Sequence, residues 1–498
     1  NISAGGSLIV YTGGIAHGVN QETGSALVAN TGAGTDIEGY NKLSHFTITG
    51  GEANYVVLEN TGELTVVAKT SAKNTTIDTG GKLIVQKEAK TDSTRLNNGG
   101  VLEVQDGGEA KHVEQQSGGA LIASTTSGTL IEGTNSYGDA FYIRNSEAKN
   151  VVLENAGSLT VVTGSWAVDT IINANGKMDV YGKDVGTVLN SAGTQTIYAS
   201  ATSDKANIKG GKQTVYGLAT EANIESGEQI VDGGSTDKTH INGGTQTVQN
   251  YGKAINTDIV SGLQQIMANG TAEGSIINGG SQVVNEGGLA ENSVLNDGGT
   301  LDVREKGSAT GIQQSSQGAL VATTRATRVT GTRADGVAFS IEQGAANNIL
   351  LANGGVLTVE SDTSSDKTQV NMGGREIVKT KATATGTTLT GGEQIVEGVA
   401  NETTINDGGI QTVSANGEAI KTKINEGGTL TVNDNGKATD IVQNSGAALQ
   451  TSTANGIEIS GTHQYGTFSI SGNLATNMLL ENGGNLLVLA GTEARDST

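Results

Sequence analysis

The sequence predicts an all-β protein built as a parallel β-helix, and three observations carry this prediction. The pattern Gly-x-[Leu or Gln]-x-[Val or Ile] recurs along the chain at steps of 16 to 19 residues. Asn-Gly-Gly or Asp-Gly-Gly precedes many of these repeats, and apolar and polar residues alternate with period two after the glycine. No stretch shows the 3.6-residue periodicity of an amphipathic helix.

Each repeat is predicted to form one coil, which begins at the first glycine of the pattern (the anchor glycine). Short strands, glycine-rich corners and a period of about 19 residues are typical of a β-helix. The Asn/Asp-Gly-Gly triplets supply the positive φ angles that a sharp corner needs. Since adjacent strands lie about 4.8 Å apart, about 26 coils would form a solenoid about 125 Å long.

The composition agrees with a solenoid rather than with several globular domains. The 498 residues include 75 glycines, no proline, no cysteine, one tryptophan and four phenylalanines. So few aromatic residues cannot fill three ordinary cores, but a column of Leu, Val, Ile and Ala needs few of them. Proline would remove donors from the strand ladders. We therefore expect one β-helix domain over residues 1–498, a piece of a longer protein.

Positions two and four after the anchor glycine have the same parity, so both are predicted to face inward. Leucine occupies the second position in some coils, for example Leu64 and Leu83, and glutamine occupies it in others. Like amides stacked coil upon coil can form hydrogen-bonded ladders. We therefore predict a structural role for Gln195, Gln213, Gln229, Gln246, Gln282, Gln394 and Gln411.

A longer module interrupts the repeats four times and lacks the Gly-Gly corner in its middle. The modules lie near residues 24–62, 119–157, 318–355 and 446–484, and their length predicts two coils each. All four phenylalanines fall at matching places in these modules, where a local apolar core is the favoured interpretation: Phe46, Phe141, Phe339 and Phe468.

Several functional classes are disfavoured by charge and composition. The formal net charge of −21 argues against nucleic acid and anionic membranes as partners. The five histidines never occur at metal-ligand spacing, and without cysteine a zinc site is not expected. Acidic residues recur at corners and outward positions, which indicates solvated side chains rather than an acid–base pair. We predict neither an enzyme nor a cofactor.

The third position after the anchor glycine is predicted to face solvent, and threonine is frequent there. A repeated polar face could form many weak hydrogen bonds with a neighbouring molecule, each contributing about 0.5–1.5 kcal/mol. The alternative is that threonine is simply a favourable exposed strand residue. The candidate association face consists of Thr65, Thr160, Thr196, Thr214, Thr247, Thr358, Thr412 and Thr431.

The repeat and the longer module together resemble the passenger domains of self-associating autotransporters, the family of antigen 43 and the AIDA-type adhesins. The carrying patterns are the coil G-x-[QL]-x-V-x-x-x-G-x-A-x-x-T-x-I-x-x-G and the module ALVxxT…VxGT…AFSI…NxxLENGG. The resemblance covers essentially the whole chain. It implies a right-handed, bent β-helix on the surface of a Gram-negative bacterium, exported through a C-terminal β-barrel that lies outside this sequence.

Three functional hypotheses follow. The first is a homotypic adhesin that causes cell aggregation and biofilm formation, with identical chains on neighbouring cells as partners. The second is a heterotypic adhesin that binds host receptors, glycans or matrix. The third is a carbohydrate-active β-helix enzyme, which would require grouped carboxylates on one face. Because the acidic residues are spread along the chain, the first two are favoured.

Overall fold

The computed structural model describes all 498 residues as strands and connecting turns, without helices. Accordingly, it holds no helix long and apolar enough to cross a bilayer. Two compact units, residues 1–246 and 247–498, each consist of stacked coils whose strands form three columns. Corresponding residues of successive coils are paired in parallel, as in Leu64, Leu83 and Leu102. The prediction of an all-β parallel β-helix is thus confirmed, while its handedness and bend stay predictions.

In the first unit, the first column contains the strands that follow the anchor glycines, and the chain then turns into the second and third columns. The first column contains Ser7–Ile9, Ala26–Asn30, Glu63–Val66, Lys82–Val85, Val101–Val104, Ala120–Ser124, Ser158–Val161, Lys177–Val180 and Thr194–Ile197. The second contains Trp166–Val168, Lys183–Val185, Thr202–Asp204, Leu218–Thr220 and Ser235–Asp237, and the third Val57–Leu58, Val152–Leu153, Ile171–Ile172 and Val188–Asn190. Strands running through the second and third columns are Ile15–Asn20, Ser71–Ile77, Lys90–Leu96 and Glu109–Gln115.

The second unit repeats this arrangement. Its first column contains Ser281–Val284, Thr300–Val303, Ala319–Thr323, Val356–Val359, Arg375–Val378, Glu393–Val396, Ile410–Val413, Thr429–Val432, Ala448–Ser452 and Asn485–Leu487. The second contains Lys253–Ile255, Thr271–Glu273, Leu289–Glu291, Ser364–Asp366, Thr383–Thr385, Val399–Asn401, Glu418–Ile420 and Glu493–Arg495. The third contains Ile276–Ile277, Val294–Leu295, Leu350–Leu351, Gln369–Asn371, Thr388–Thr390, Thr404–Ile405 and Lys423–Ile424, and Ser308–Gln314 and Lys437–Gln443 span the second and third.

In four successive coils the third and first columns merge into one long strand. These strands are Asn207–Val215, Asn223–Asp232, His240–Gln249 and Asp258–Ile266. The spacing between Gln213 and its paired residue Gln229 is only 16 residues, and the register shifts after Ile208. A coil of that length has no residues left for a separate corner, so the chain bends within a continuous strand instead.

The anchor glycine is required by the close approach of two coils. At the corner before the strand Lys82–Val85, Gly80 has φ +80°. A Cβ atom on the next residue, Gly81, would stand 2.1 Å from the carbonyl oxygen of Leu58 in the coil below. Any side chain there would force the coils apart, which explains why glycine starts the repeat.

The core is a column rather than a ball, as the parity of the repeat predicts. Leu83 and Val85, at positions two and four after Gly81, are fully buried. Ile84 between them is only half-buried. Each inward side chain stacks on its counterpart in the next coil, so burial is shared along the solenoid and few aromatic residues are needed.

The four long modules do not form two coils each, and this prediction is wrong. Val28 of the first-column strand before the first module pairs directly with Glu63 after it, so the first column advances by a single strand. The additional residues form an antiparallel set of three strands inserted into the stack of the second column, between its strands in the neighbouring coils. These sets are Asp36–Tyr40, His45–Thr49 and Glu52–Asn54; Leu130–Thr134, Ala140–Arg144 and Glu147–Lys149; Arg328–Arg333, Ala338–Glu342 and Ala345–Asn347; and Glu458–His463, Gly466–Ser471 and Leu474–Thr476.

The second reversal of the chain in each module occurs where two successive residues adopt positive φ. Gly50 and Gly51 have φ of 60° and 75°, and Asn145 and Ser146 have φ of 50° and 61°. Two positive φ angles in a row define the tight turn that joins antiparallel strands in a hairpin. The missing Gly-Gly corner was visible in the sequence, but a second coil and a hairpin have nearly the same length.

Each phenylalanine is buried inside its module, as predicted. Phe339 is 3% exposed and pairs with Gly331 on the neighbouring antiparallel strand. A Cβ atom at Gly331 would stand 2.5 Å from Phe339 Cζ, so the absence of a side chain makes room for the ring. Phe468 and Gly461 have the same relationship in the fourth module.

Candidate functional site

The outward side of the first column is the candidate association face. All eight threonines predicted for it are half-buried on first-column strands, with neighbours above and below in the stack. Four lie in the first unit, namely Thr65, Thr160, Thr196 and Thr214, and four in the second, namely Thr247, Thr358, Thr412 and Thr431. The outward orientation follows from parity, because the residues on either side of each threonine are buried.

Threonines stack directly on each other only in short runs. Thr196 pairs with Thr214 in the first unit, and Thr412 pairs with Thr431 in the second. Elsewhere other residues stand between them: Thr65 is followed by Ile84, and Thr160 by Asp179. Thr358 pairs with Thr323 on one side and with Ile377 on the other. The face is therefore a mixed polar surface with local threonine pairs.

Three tyrosines form a stack at the surface beside the first of these threonine pairs. Tyr181, Tyr198 and Tyr216 each follow a first-column strand by one residue, and we call them the tyrosine stack. The rings of Tyr181 and Tyr198 are 4.3 Å apart and nearly parallel, at 5°. The rings of Tyr198 and Tyr216 are 6.2 Å apart at 27°. Sequence reasoning missed this stack, although the spacing of the three tyrosines equals that of the anchor glycines.

The phenol of Tyr198 is held by its neighbours. Its hydroxyl donates a hydrogen bond to Asp179 Oδ1 at 3.3 Å. Burial raises the pKa of Tyr198 to about 12, and the hydrogen bond with Tyr181 and the charge of Asp179 act in the same direction. The hydroxyl group of Tyr198 is therefore neutral at physiological pH.

Behind this face the predicted glutamine ladder is present and confirmed. In the first unit, Gln213 Nε2 donates to Gln195 Oε1 at 2.9 Å, and Gln229 Nε2 donates to Gln213 Oε1 at 2.8 Å. Gln246 continues the series with a bond of 2.9 Å to Gln229. In the second unit, the same bond joins Gln282 to Gln264 and Gln411 to Gln394. These amides hold successive coils in register, so their role is structural.

Two of these ladders, those that start at Gln195 and Gln394, begin at a buried carboxylate, which the sequence did not reveal. Gln195 Nε2 donates to Asp184 Oδ2 at 2.6 Å, and Gln394 Nε2 donates to Glu376 Oε1 at 2.8 Å. Because every amide donates to the preceding one, the first amide needs an acceptor with no proton to donate in return. Burial raises the pKa of Asp184 to about 6, although hydrogen bonds from Thr187, Gln195 and Ser203 oppose that rise.

A second set of acidic residues accepts hydrogen bonds that connect the end of a module to its start. Glu154, in the sequence Leu-Glu-Asn, accepts a bond from the backbone nitrogen of Gly118 at 2.7 Å and another from Asn173 Nδ2 at 2.8 Å. Glu481 accepts from the backbone nitrogen of Gly446 at 2.6 Å. Glu59 does the same with Gly24. Sequence reasoning missed these glutamates, although the recurrence of Leu-Glu-Asn in three modules could have indicated them.

Other charged side chains lie on the surface in pairs. Beneath the second module, a groove of about 510 Å³ contains Arg95 and Glu114, whose charged groups are 3.3 Å apart, and His112, whose ring lies 2.9 Å from Asp92. His17 and His45 likewise pair with Asp36 and Glu38, at 2.9 and 3.0 Å. The hydrogen bond from His112 keeps the pKa of Asp92 below its usual range. Such paired, solvated groups have the character expected of surface strands.

Comparison with known proteins agrees with this architecture. The family model described as "Adhesin of bacterial autotransporter system, probable stalk" matches residues 38–100, 132–193, 330–392, 394–447 and 460–498. Among solved structures, the chain is similar to the TibC-catalysed, hyper-glycosylated fragment of TibA, with 28% identity and a TM-score of 0.34. That match covers 62% of this chain and 98% of the fragment. With more than half of its residues matched by the family model, the chain belongs to the adhesins of the bacterial autotransporter system, as their probable stalk.

Proposed function

We propose that this chain mediates homotypic association, in which copies displayed on neighbouring bacterial cells bind each other side by side and cause aggregation and biofilm growth. Membership of the autotransporter adhesin family makes the chain a surface-exposed adhesin. What the proposal adds is the identity of the partner, which is a second copy of the same chain, and its display on a Gram-negative cell.

The observation that carries the proposal is the repetition of one polar surface along each unit. Threonine pairs such as Thr196 and Thr214 present hydroxyl groups at successive strand spacings. A second copy offers the same spacing, so a contact made in one coil can be made again in the next. Each hydrogen bond contributes about 0.5–1.5 kcal/mol, and many in parallel give avidity without any single strong site.

A mixed-cell settling experiment tests this proposal. Cells displaying the chain are mixed with differently labelled bare cells, and the clumps are imaged. We expect clumps that contain only displaying cells. Clumps that recruit bare cells in proportion would contradict homotypic binding and indicate a ligand on the cell envelope. No clumping by correctly folded, displayed chain would also contradict it and favour a host glycan or matrix protein as the partner.

The threonine face is tested with a matched pair of variants. Thr196→Glu with Thr214→Glu places two negative charges on the outward side of adjacent coils. Ser364→Glu with Thr383→Glu also adds two negative charges on paired strands of adjacent coils, but on the second column of the second unit. We expect only the first variant to slow settling. If both variants settled equally, the first column would not be part of the association face.

A further inference from the structure

The tyrosine stack places aromatic residues at the same surface position of three successive coils, and Tyr198 in the middle is half-buried. Tyr181 and Tyr216 are 41% and 44% exposed. The backbone nitrogens of Tyr198 and Tyr216 bond to Val180 and Ile197 of the preceding coils at 3.0 and 2.8 Å, so the three residues are in register. Most other coils carry a polar or charged residue at this position, for example Gln86, Gln105 and Asp232.

Ring stacking within one molecule does not account for this exposure. Stacked aromatic pairs contribute about 0.5–1.5 kcal/mol beyond area burial, and the interior of the solenoid was available for that purpose. Single apolar side chains on a surface are ordinary, whereas contiguous ones mark interaction sites. The ring of Tyr198 lies between those of Tyr181 and Tyr216, so the two outer rings form the aromatic surface that is open to a partner.

The local charge identifies the kind of partner that fits. Residues 177–216 contain five lysines and three aspartates, while the whole chain has a net charge of −21. Lys177 and Lys212 lie on the strands that precede Tyr181 and Tyr216, with side chains 61% and 49% exposed. A segment with an excess of lysine therefore interrupts an acidic surface. It complements an acidic partner, and another copy of this chain is acidic overall, with a net charge of −21.

We propose that the tyrosine stack, with Thr196 and Thr214 beside it, is a contact through which a second copy of the chain binds. Thr196 precedes Tyr198 by two residues on the same outward side, and Thr214 precedes Tyr216 in the same way. Tyrosine is enriched at interfaces and among the residues that dominate binding, because it combines a large rigid area with a polar end. This inference rests on the proposed homotypic function and locates part of its surface.

The test compares two triple variants of the full chain. In the first, Tyr181, Tyr198 and Tyr216 are each replaced by threonine, which keeps strand propensity. The control replaces Tyr11, Tyr251 and Tyr465, which are 80%, 80% and 64% exposed and lie outside the stack. Dissociation constants for self-association are measured by sedimentation equilibrium, and settling is measured on displaying cells. We expect at least about tenfold weaker association for the stack variant and no change for the control.

The possible outcomes separate this inference from the function on which it rests. A wild-type chain that stays monomeric at all concentrations contradicts homotypic function itself, and with it this contact. A wild-type chain that associates, with a stack variant that associates equally well, contradicts only the placement at the tyrosines. If the wild type were monomeric and bound bare cells, and the stack variant did not bind them, the tyrosine stack would bind a heterotypic ligand. That result would contradict a second copy of the chain as its partner.

A second variant keeps the inference testable if the triple tyrosine variant does not fold. Lys177→Glu with Lys212→Glu changes two exposed charges whose ion pairs with Asp179 and Glu228 are 3.5 and 4.0 Å long. Exposed pairs of this kind contribute little to stability, so the fold is retained. We expect association to weaken severalfold, because the contact then repels an acidic partner. Unchanged association would contradict the charge argument.

Discussion

Gln213 Nε2 donates a hydrogen bond to Gln195 Oε1 over 2.9 Å inside the first unit, where both side chains are at most 1% exposed. The bond joins identical positions of two coils, and its direction is repeated in the next coil. The ladder thereby converts a sequence repeat into a fixed stacking register. It also makes each amide dependent on its neighbours.

Replacement of Gln213 by leucine is therefore expected to destabilise the first unit, although leucine occupies the same position in other coils. Gln195 Oε1 would lose its donor, and Gln229 Nε2 would lose its acceptor. Each buried polar group left unpaired costs about 1–3 kcal/mol. Urea unfolding followed by circular dichroism measures the change in the free energy of unfolding.

The reciprocal change is the control. Leu83→Gln places an amide between Leu64 and Leu102, which offer no hydrogen bond. We expect destabilisation there as well, by a similar amount. The argument is that the residues in the neighbouring coils, and not the position in the repeat, decide whether leucine or glutamine is stable there. It would be wrong if either variant were as stable as the wild type.

The repeat allowed the main features of the fold to be predicted from the sequence. The predictions that failed did so for identifiable physical reasons. Inward and outward sides follow from period two, so Leu83, Gln213 and the half-buried Thr214 were placed correctly. The hairpin modules were misjudged because an inserted hairpin has nearly the length of a second coil, and because the residues at the turn differ, from Gly50 and Gly51 to Asn145 and Ser146. Asp184 was missed because an acidic residue in a short strand gives no sign that it is buried.

Buried threonines provide a second test of the same principle. Thr170 is fully buried and its hydroxyl has no hydrogen-bond partner, whereas the hydroxyl of Thr422 donates to Gln411 Oε1 at 2.9 Å. Valine has the same shape without the hydroxyl. We expect Thr170→Val to stabilise the protein by about 1 kcal/mol and Thr422→Val to destabilise it by about 1–2 kcal/mol. Urea unfolding of the two variants should thus shift in opposite directions, and shifts of the same sign would contradict the argument.

Asp184 should make stability depend on pH. Its pKa is raised to about 6 from 3.8, so the folded state holds the proton more tightly than the unfolded state. The resulting stabilisation is fully present below about pH 4 and is lost as pH rises through 6. The maximum loss is about 3 kcal/mol, since one pKa unit corresponds to about 1.4 kcal/mol.

The measurement is the difference between wild type and Asp184→Asn in urea unfolding from pH 4 to pH 8. Taking the difference matters because groups such as Asp92, whose pKa is lowered, act in the opposite direction as pH falls. We expect the difference between the two proteins to vary with pH mainly between 4 and 6. Asp297→Asn, at an exposed corner, is the control for the loss of a carboxylate in itself. A pH-independent difference for Asp184→Asn would contradict the raised pKa.

Self-association should strengthen with ionic strength. Two copies with a net charge of −21 repel each other over long distances, and the Debye length falls from about 30 Å at 0.01 M salt to about 8 Å at 0.15 M. Salt also weakens the attraction of Lys177 and Lys212 for an acidic partner, but that attraction acts at contact distance and is screened less than the repulsion between whole molecules. Settling rates and the light scattering of purified chain should therefore both rise as ionic strength increases across this range. The same rise is expected in sodium chloride and in potassium chloride. Association that is unaffected or weakened by salt would show that repulsion between copies does not limit their approach.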